Sequence, residues 1–121
     1  MLLNLSNHPS ANWSEEQKTA ANQQYGEIVD LPFPQVSPEG DEAYIAAIAD
    51  EYSKKVEKLS SRQSITVHLM GEMTLAFALA KRLQDNGITC VASTTERIAE
   101  DDAKGGKISK FKFVRFREYG K

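Results

Sequence analysis

A chain of 121 residues, 40% hydrophobic and 26% charged, has the size and balance of one soluble domain with a single core, so residues 1–121 are read as one domain. Its net charge of -2 excludes the strong basic excess with which proteins hold long DNA or RNA by counterion release, leaving small, locally held anions to consider. The lone cysteine, Cys90, excludes an intramolecular disulfide and a cysteine-based zinc site, and its apolar surroundings read as those of a buried thiol.

The chain starts "MLLNLSNHPS", with no basic region and no apolar stretch of signal-peptide length, and it nowhere holds the roughly 18 consecutive apolar residues of a membrane helix. A cytoplasmic protein without a membrane partner is expected. Met1 to Leu5 reads as a short buried strand, halted by the polar "SNHPS" and its Pro9. Ser14 and Gln17 form a capping box, so "SEEQKTAANQQY" is predicted as a helix with Glu15 and Glu16 at its positive end and Gly26 as its stop.

"EIVDLP" is the second strand, stopped by Pro32 and Pro34, and "PFPQVSPEG" is a rigid polar connection. From Asp41 the positions Tyr44, Ile45, Ile48, Tyr52, Val56 and Leu59 recur at helical spacing and mark one apolar stripe. Lys54, Lys55 and Lys58 lie toward the C-terminal end of that helix and read as its solvated face.

"SITVHLM" is apolar on both faces apart from Thr66 and His68, as expected of a central parallel strand, and His68 is expected in the core with a satisfied partner. The following "EMTLAFALAKRLQDNG" is rich in strong helix formers and closes on Asn86-Gly87. "ITCVAS" is a short fourth strand, and the polar, glycine-containing "TERIAEDDAKGGKISK" is expected to be an exposed, mobile loop.

The last strand, "KFKFVRFREY", changes its alternation between Phe113 and Val114, which a bulge or burial on both faces would explain. Its Lys110, Lys112, Arg115 and Arg117 alternate with aromatics, a pattern open to two readings: an edge strand guarded against aggregation, or a nucleic-acid surface. The alternation of strands and helices predicts an α/β fold. Its five-stranded, mostly parallel sheet has the order 2-1-3-4-5 and carries helices on both faces, a three-layer sandwich.

In such a sheet ligands bind beyond the carboxyl ends of the strands, near the point where strand order reverses. Three polar segments converge there: Ser6, Asn7 and His8 after the first strand, Gly71, Glu72, Met73 and Thr74 after the third, and Ser93 through Arg97 after the fourth. Gly71 either admits a ligand close to the backbone or makes a tight turn, and the amides after it open a helix whose N-terminus favours an anion. Arg97, behind the hydroxyls of Thr94 and Thr95, suits a phosphate, with a salt bridge to Glu96 or Glu100 as the alternative. His8 is a candidate acid or base, or a local hydrogen-bonding residue. Two distant histidines without a carboxylate at ligand spacing argue against a metal site, and no cofactor is expected.

Taken together, "LSNHP" followed by "SEEQ", then "EIVDLPFP", "VHLMGEM", "VASTTER" and "FKFVRFREY" resemble the small stand-alone CRISPR-associated proteins of type III systems. These have a CARF-like Rossmann fold and include the ring nucleases that degrade cyclic oligoadenylates. The resemblance implies a two-fold homodimer that holds a cyclic tetra-adenylate across its axis and cleaves it without metal, by attack of a ribose 2'-hydroxyl on the adjacent phosphorus. On that reading His8, Glu72 and Arg97 are the candidate catalytic residues, and Ser6, Asn7, Gly71, Met73, Thr74, Thr94 and Thr95 bind the ligand. The alternatives are a non-catalytic cyclic-oligonucleotide sensor or sponge, and a flavodoxin-like nucleotide-binding domain.

Overall fold

The computed structural model describes residues 1–120. Its strands are β1 (Leu2–Ser6), β2 (Ile28–Asp30), β3 (Thr66–Met70), β4 (Thr89–Asp101) and β5 (Lys107–Glu118), and its helices are α1 (Glu15–Tyr25), α2 (Glu42–Ser60) and α3 (Met73–Asp85). They form one five-stranded sheet in the order β2-β1-β3-β4-β5. The first three pairings are parallel and the β4–β5 pairing is antiparallel, so the expected architecture and strand order hold.

Local chemistry accounts for the helix boundaries. Ser14 caps α1 by accepting from the Gln17 amide, and the chain leaves that helix through Gly26 at φ 88°. Asp41 caps α2 through the Tyr44 amide, and α3 ends at Asn86, followed by Gly87 at φ 75°. β2 is only Ile28–Asp30, yet the chain stays beside β1 after it, because the Leu31 and Phe33 amides donate to the Asn4 and Ser6 carbonyls at 2.9 and 3.2 Å. That continuation places Phe33 against the end of β3.

The period-two alternation of the strands divides the sheet into unlike faces. Leu3, Leu5, Val67, Leu69 and Cys90 are buried together with Val56 of α2 and Leu75, Leu79 and Leu83 of α3 in the larger core. Leu2 and Val91 point the other way, toward Ala21 of α1, Trp13 and Phe116. α2 and α3 therefore cover one face, and α1 alone covers the other. Toward the strand ends the α1 face carries polar residues, Asn4, Ser6 and His68, all of them buried.

One expectation is corrected. "TERIAEDDAKGGKISK" is a β-hairpin arm: β4 runs on to Asp101 and pairs with β5 through the whole stretch. The chain reverses at Asp102–Gly106, where the Asp102 carboxylate accepts from the Lys104 and Gly106 amides at 2.8 and 2.7 Å and Gly105 takes φ 81°. The arm projects beyond the layers with both faces largely exposed, so its sequence has no apolar alternation to betray it.

The break in alternation in the last strand is a bulge. Thr94 pairs with Arg115 and Thr95 with Phe113, which leaves Val114 unpaired. The extra residue puts Phe113 and Phe116 on one face, with ring centroids 5.0 Å apart. The Thr94 hydroxyl accepts from the Arg115 amide and donates to the Arg115 carbonyl, each at 3.2 Å, and so supplies the hydrogen bonds that the bulge interrupts. Thr94→Val is expected to cost about 1 kcal/mol or less in denaturant unfolding and to speed hydrogen exchange at the Arg115 amide, with the far-ultraviolet dichroism unchanged.

Candidate functional site

Asn4 is the hub of the strand-end region. Its Nδ2 donates to the His8 carbonyl and to the Asp30 carboxylate, each at 2.8 Å, and both of those atoms are acceptors only. The amide orientation is therefore determined: Oδ1 faces the Ser6 hydroxyl, which donates to it at 2.7 Å, and His68 Nδ1 at 2.8 Å. The His8 carbonyl also accepts from the Trp13 indole at 3.0 Å, and the Ser6 oxygen accepts from the His8 amide at 3.1 Å. These bonds fasten the loop after β1 over the sheet.

With Asn4 Oδ1 an acceptor, His68 must carry its proton on Nδ1, which leaves Nε2 to accept from Ser93 Oγ at 3.2 Å. Trp13 and Phe116 pack edge-on against the imidazole at 5.1 and 5.6 Å between centroids. Burial, with a smaller contribution from the charge of His8, lowers the His68 pKa to about 4, so the ring is neutral at physiological pH. As expected, His68 is a core residue with satisfied partners, but it also reaches a cleft.

That cleft has a volume of about 700 Å³ and lies where α1 fails to cover the sheet. Its floor is His68, Met70 and Ser93; its near wall is Asn7, His8 and Trp13; its far wall is Thr95, Phe111 and Phe113 from the hairpin arm. Arg97 pairs with Phe111 and falls on the same face as Ser93 and Thr95 by strand alternation, one step farther out along the arm. Its Nε and Nη2 donate to Ser109 Oγ at 3.1 and 2.9 Å, while Glu100 pairs with Lys110 at 3.2 Å. The guanidinium is thus not held by either glutamate suggested for it and remains exposed beside the cleft.

The candidate residues after β3 occupy a different place. Glu72 caps α3 with its own carboxylate, which accepts from the Leu75 and Thr74 amides at 2.9 and 3.1 Å and from the Thr74 hydroxyl at 2.6 Å. The Thr74 hydroxyl, followed by those two amides, holds the Glu72 carboxyl below its ordinary pKa. An external anion at this helix end would have to displace a negative charge already seated there. A Cβ at Gly71 would lie 2.6 Å from the Phe33 ring carbons, so the close approach that glycine permits is made by Phe33. Met73 is 83% exposed on the outer side of α3, and Thr94 serves the bulge.

The structure thus gathers Ser6, Asn7, His8, Thr95 and Arg97 on the α1 face, and sets Gly71, Glu72, Met73 and Thr74 apart at the start of α3. Sequence reasoning missed Trp13, Phe111 and Phe113 as cleft walls and His68 as its floor. For the two phenylalanines a signal existed, the alternation of aromatic and basic residues, but its meaning depends on the bulge. Among the described residues, no group of three His, Cys, Asp or Glu side chains is placed to hold a metal, and no helix is long and apolar enough to cross a membrane.

Fold and site together define an α/β domain of the Rossmann-like type, with a strand-end cleft closed on one side by an antiparallel hairpin. The chain belongs to the uncharacterized protein MJ1673 family, whose profile matches residues 1–117. No curated protein and no solved structure matches it significantly.

Two outcomes test this account. The unfolded chain protonates histidine near pH 6.5 while the folded His68 refuses the proton until about pH 4, so stability is fully present above pH 6.5 and declines as the pH falls toward 4. The full loss is on the order of 3 kcal/mol, and denaturation of wild type and His68→Gln across that range should show the slope reduced in the variant. Gly71→Ala should destabilise by about 1–3 kcal/mol through the clash with Phe33, and Phe33→Ala in the same chain should relieve part of that clash.

Proposed function

We propose that this protein binds a cyclic oligoadenylate, with cyclic tetra-adenylate as the ligand, in the cleft between the loop after β1 and the hairpin arm. The observation that carries the reading is the composition of that cleft. Phe111 and Phe113 offer flat surfaces for stacking a base, Asn7 and Thr95 offer hydrogen bonds, and Arg97 stands at the outer end as a planar donor for a phosphate. The sequence motifs that resemble type III CRISPR-associated ring nucleases support the same ligand. A two-fold homodimer in the cytoplasm would present two such clefts to one cyclic ligand of matching symmetry.

In the catalytic form of this proposal the ribose 2'-oxygen attacks the adjacent phosphorus as its proton passes to solvent water. The bond to the 5'-oxygen breaks, that oxygen takes a proton, and a 2',3'-cyclic phosphate and a 5'-hydroxyl result. His8 has an exposed imidazole at the cleft wall and serves as the donor to the leaving oxygen. Arg97 balances the charge that builds on the phosphorane. The consequence would be to end type III CRISPR signalling.

A second reading, a sensor or sponge that binds without cleaving, is favoured by Glu72. Because its carboxylate occupies the α3 amides, the charge stabilisation expected from that helix end falls to Arg97 alone. The deciding experiment incubates the protein with cyclic tetra- and hexa-adenylate in the presence of EDTA and resolves the products by chromatography and mass spectrometry. Linear products ending in 2',3'-cyclic phosphate are expected, with Arg97→Ala lowering affinity or rate at least about tenfold. An intact but bound ring selects the second reading; a ring neither bound nor cleaved removes both.

A further inference from the structure

We propose that Ser93 is a specificity residue: its hydroxyl oxygen presents a hydrogen-bond acceptor to the cleft and selects ligands that bear an exocyclic amine, such as adenine, over their keto counterparts. This rests on the reading that a nucleotide occupies the cleft, and goes beyond it by naming the atom that reads the base.

A chain of hydrogen bonds crosses four strands to reach Ser93. The Asp30 carboxylate at the end of β2 accepts from Asn4 Nδ2 and has no hydrogen to give. Asn4 Nδ2 spends both hydrogens, on Asp30 and on the His8 carbonyl, so Asn4 Oδ1 meets His68 Nδ1 as an acceptor. His68 thereby donates from Nδ1 and accepts at Nε2, where Ser93 Oγ lies 3.2 Å away. Ser93 has one hydroxyl hydrogen. Met70 Sδ is also 3.2 Å from its oxygen, but a thioether is a weak acceptor, and directing the hydrogen there would leave the imidazole lone pair unmet in a buried site.

The hydrogen therefore points inward to His68, and the Ser93 lone pairs are left for the cleft. Because the imidazole stays neutral across the physiological range, the polarity of the chain does not reverse there. Phe113 stands beside Thr95 on the same face, so a planar base lying along the hairpin arm brings its edge toward Ser93. Adenine has an amine at its 6-position and completes the chain as a donor; hypoxanthine has a carbonyl there and sets lone pair against lone pair. Ribose hydroxyls, able to donate or accept, would give no such discrimination.

The test titrates the protein with cyclic tetra-adenylate and with cyclic tetra-inosinate by calorimetry. Wild type should bind the adenylate ring about ten- to a hundredfold more tightly. In Ser93→Ala the ratio should fall to near one, and Ser93→Thr, which keeps a hydroxyl, should restore it. Nitrogen NMR of His68 should find the proton on Nδ1 in the unliganded protein. Equal affinities in wild type, an unchanged ratio in Ser93→Ala, or a proton on Nε2 would overturn the proposal while leaving nucleotide binding intact. Failure of wild type to bind either ring would instead remove the nucleotide reading, and this inference with it.

Discussion

The strand ends of this protein depend on one buried amide. Asn4 is 1% exposed in the middle of β1, and an unsatisfied polar group there would cost on the order of 1–3 kcal/mol. It is satisfied because β2 brings Asp30, the loop after β1 brings the His8 carbonyl, and the Ser6 hydroxyl and His68 Nδ1 both donate to its oxygen. One side chain thus determines the position of a loop, the register of a neighbouring strand and the tautomer of a histidine. Asp30 extends the same tie to the turn after the loop, accepting from the Ser10 hydroxyl at 2.9 Å.

The sheet's two faces differ because of what those buried residues require. The face under α2 and α3 is lined by apolar side chains and closes mainly by packing. The opposite face mixes an apolar base, Leu2 and Val91, with a polar row that needs hydrogen-bonding cover, and Trp13 supplies both an aromatic surface and an N–H for the loop. A single helix with one buried residue, Ala21, cannot cover the whole of that face. The hairpin arm beyond the sheet then makes the open area a cleft rather than a flat surface. The start of α3, where fold rules place an anion, is occupied by Glu72, so the positive group left for the cleft is Arg97 on the arm.

Much of the fold was legible in the amino-acid sequence because the signals were local. Ser14 with Gln17, Gly26, and Asn86 followed by Gly87 mark helix ends by backbone chemistry that involves only neighbouring residues. The stripe from Tyr44 to Leu59, the apolar "TVHLM" and the alternation of strand with helix led directly to a mostly parallel sheet and its order. The phase change at Phe113 and Val114 was open to a bulge or to burial on both faces, and the cross-strand pairing shows that it is a bulge.

The site was legible only in outline: of the three segments expected to converge, those after β1 and β4 flank the cleft, while the one after β3 lies apart at the start of α3. Whether Gly71 faces a ligand was decided by Phe33, 38 positions earlier in the chain, and whether the α3 amides are open was decided by the rotamer of Glu72. The hairpin arm escaped because both of its faces are exposed, so the cross-strand hydrogen bonds that define it left no apolar pattern. His68 could be placed in the core from its strand, but not connected to Ser93, 25 positions away. Sequence by itself determined the elements, their order and their ends, which follow from backbone preferences and burial periodicity. Tertiary structure alone decided which polar groups remain available to a ligand, because that depends on hydrogen-bond partners brought together from distant parts of the chain.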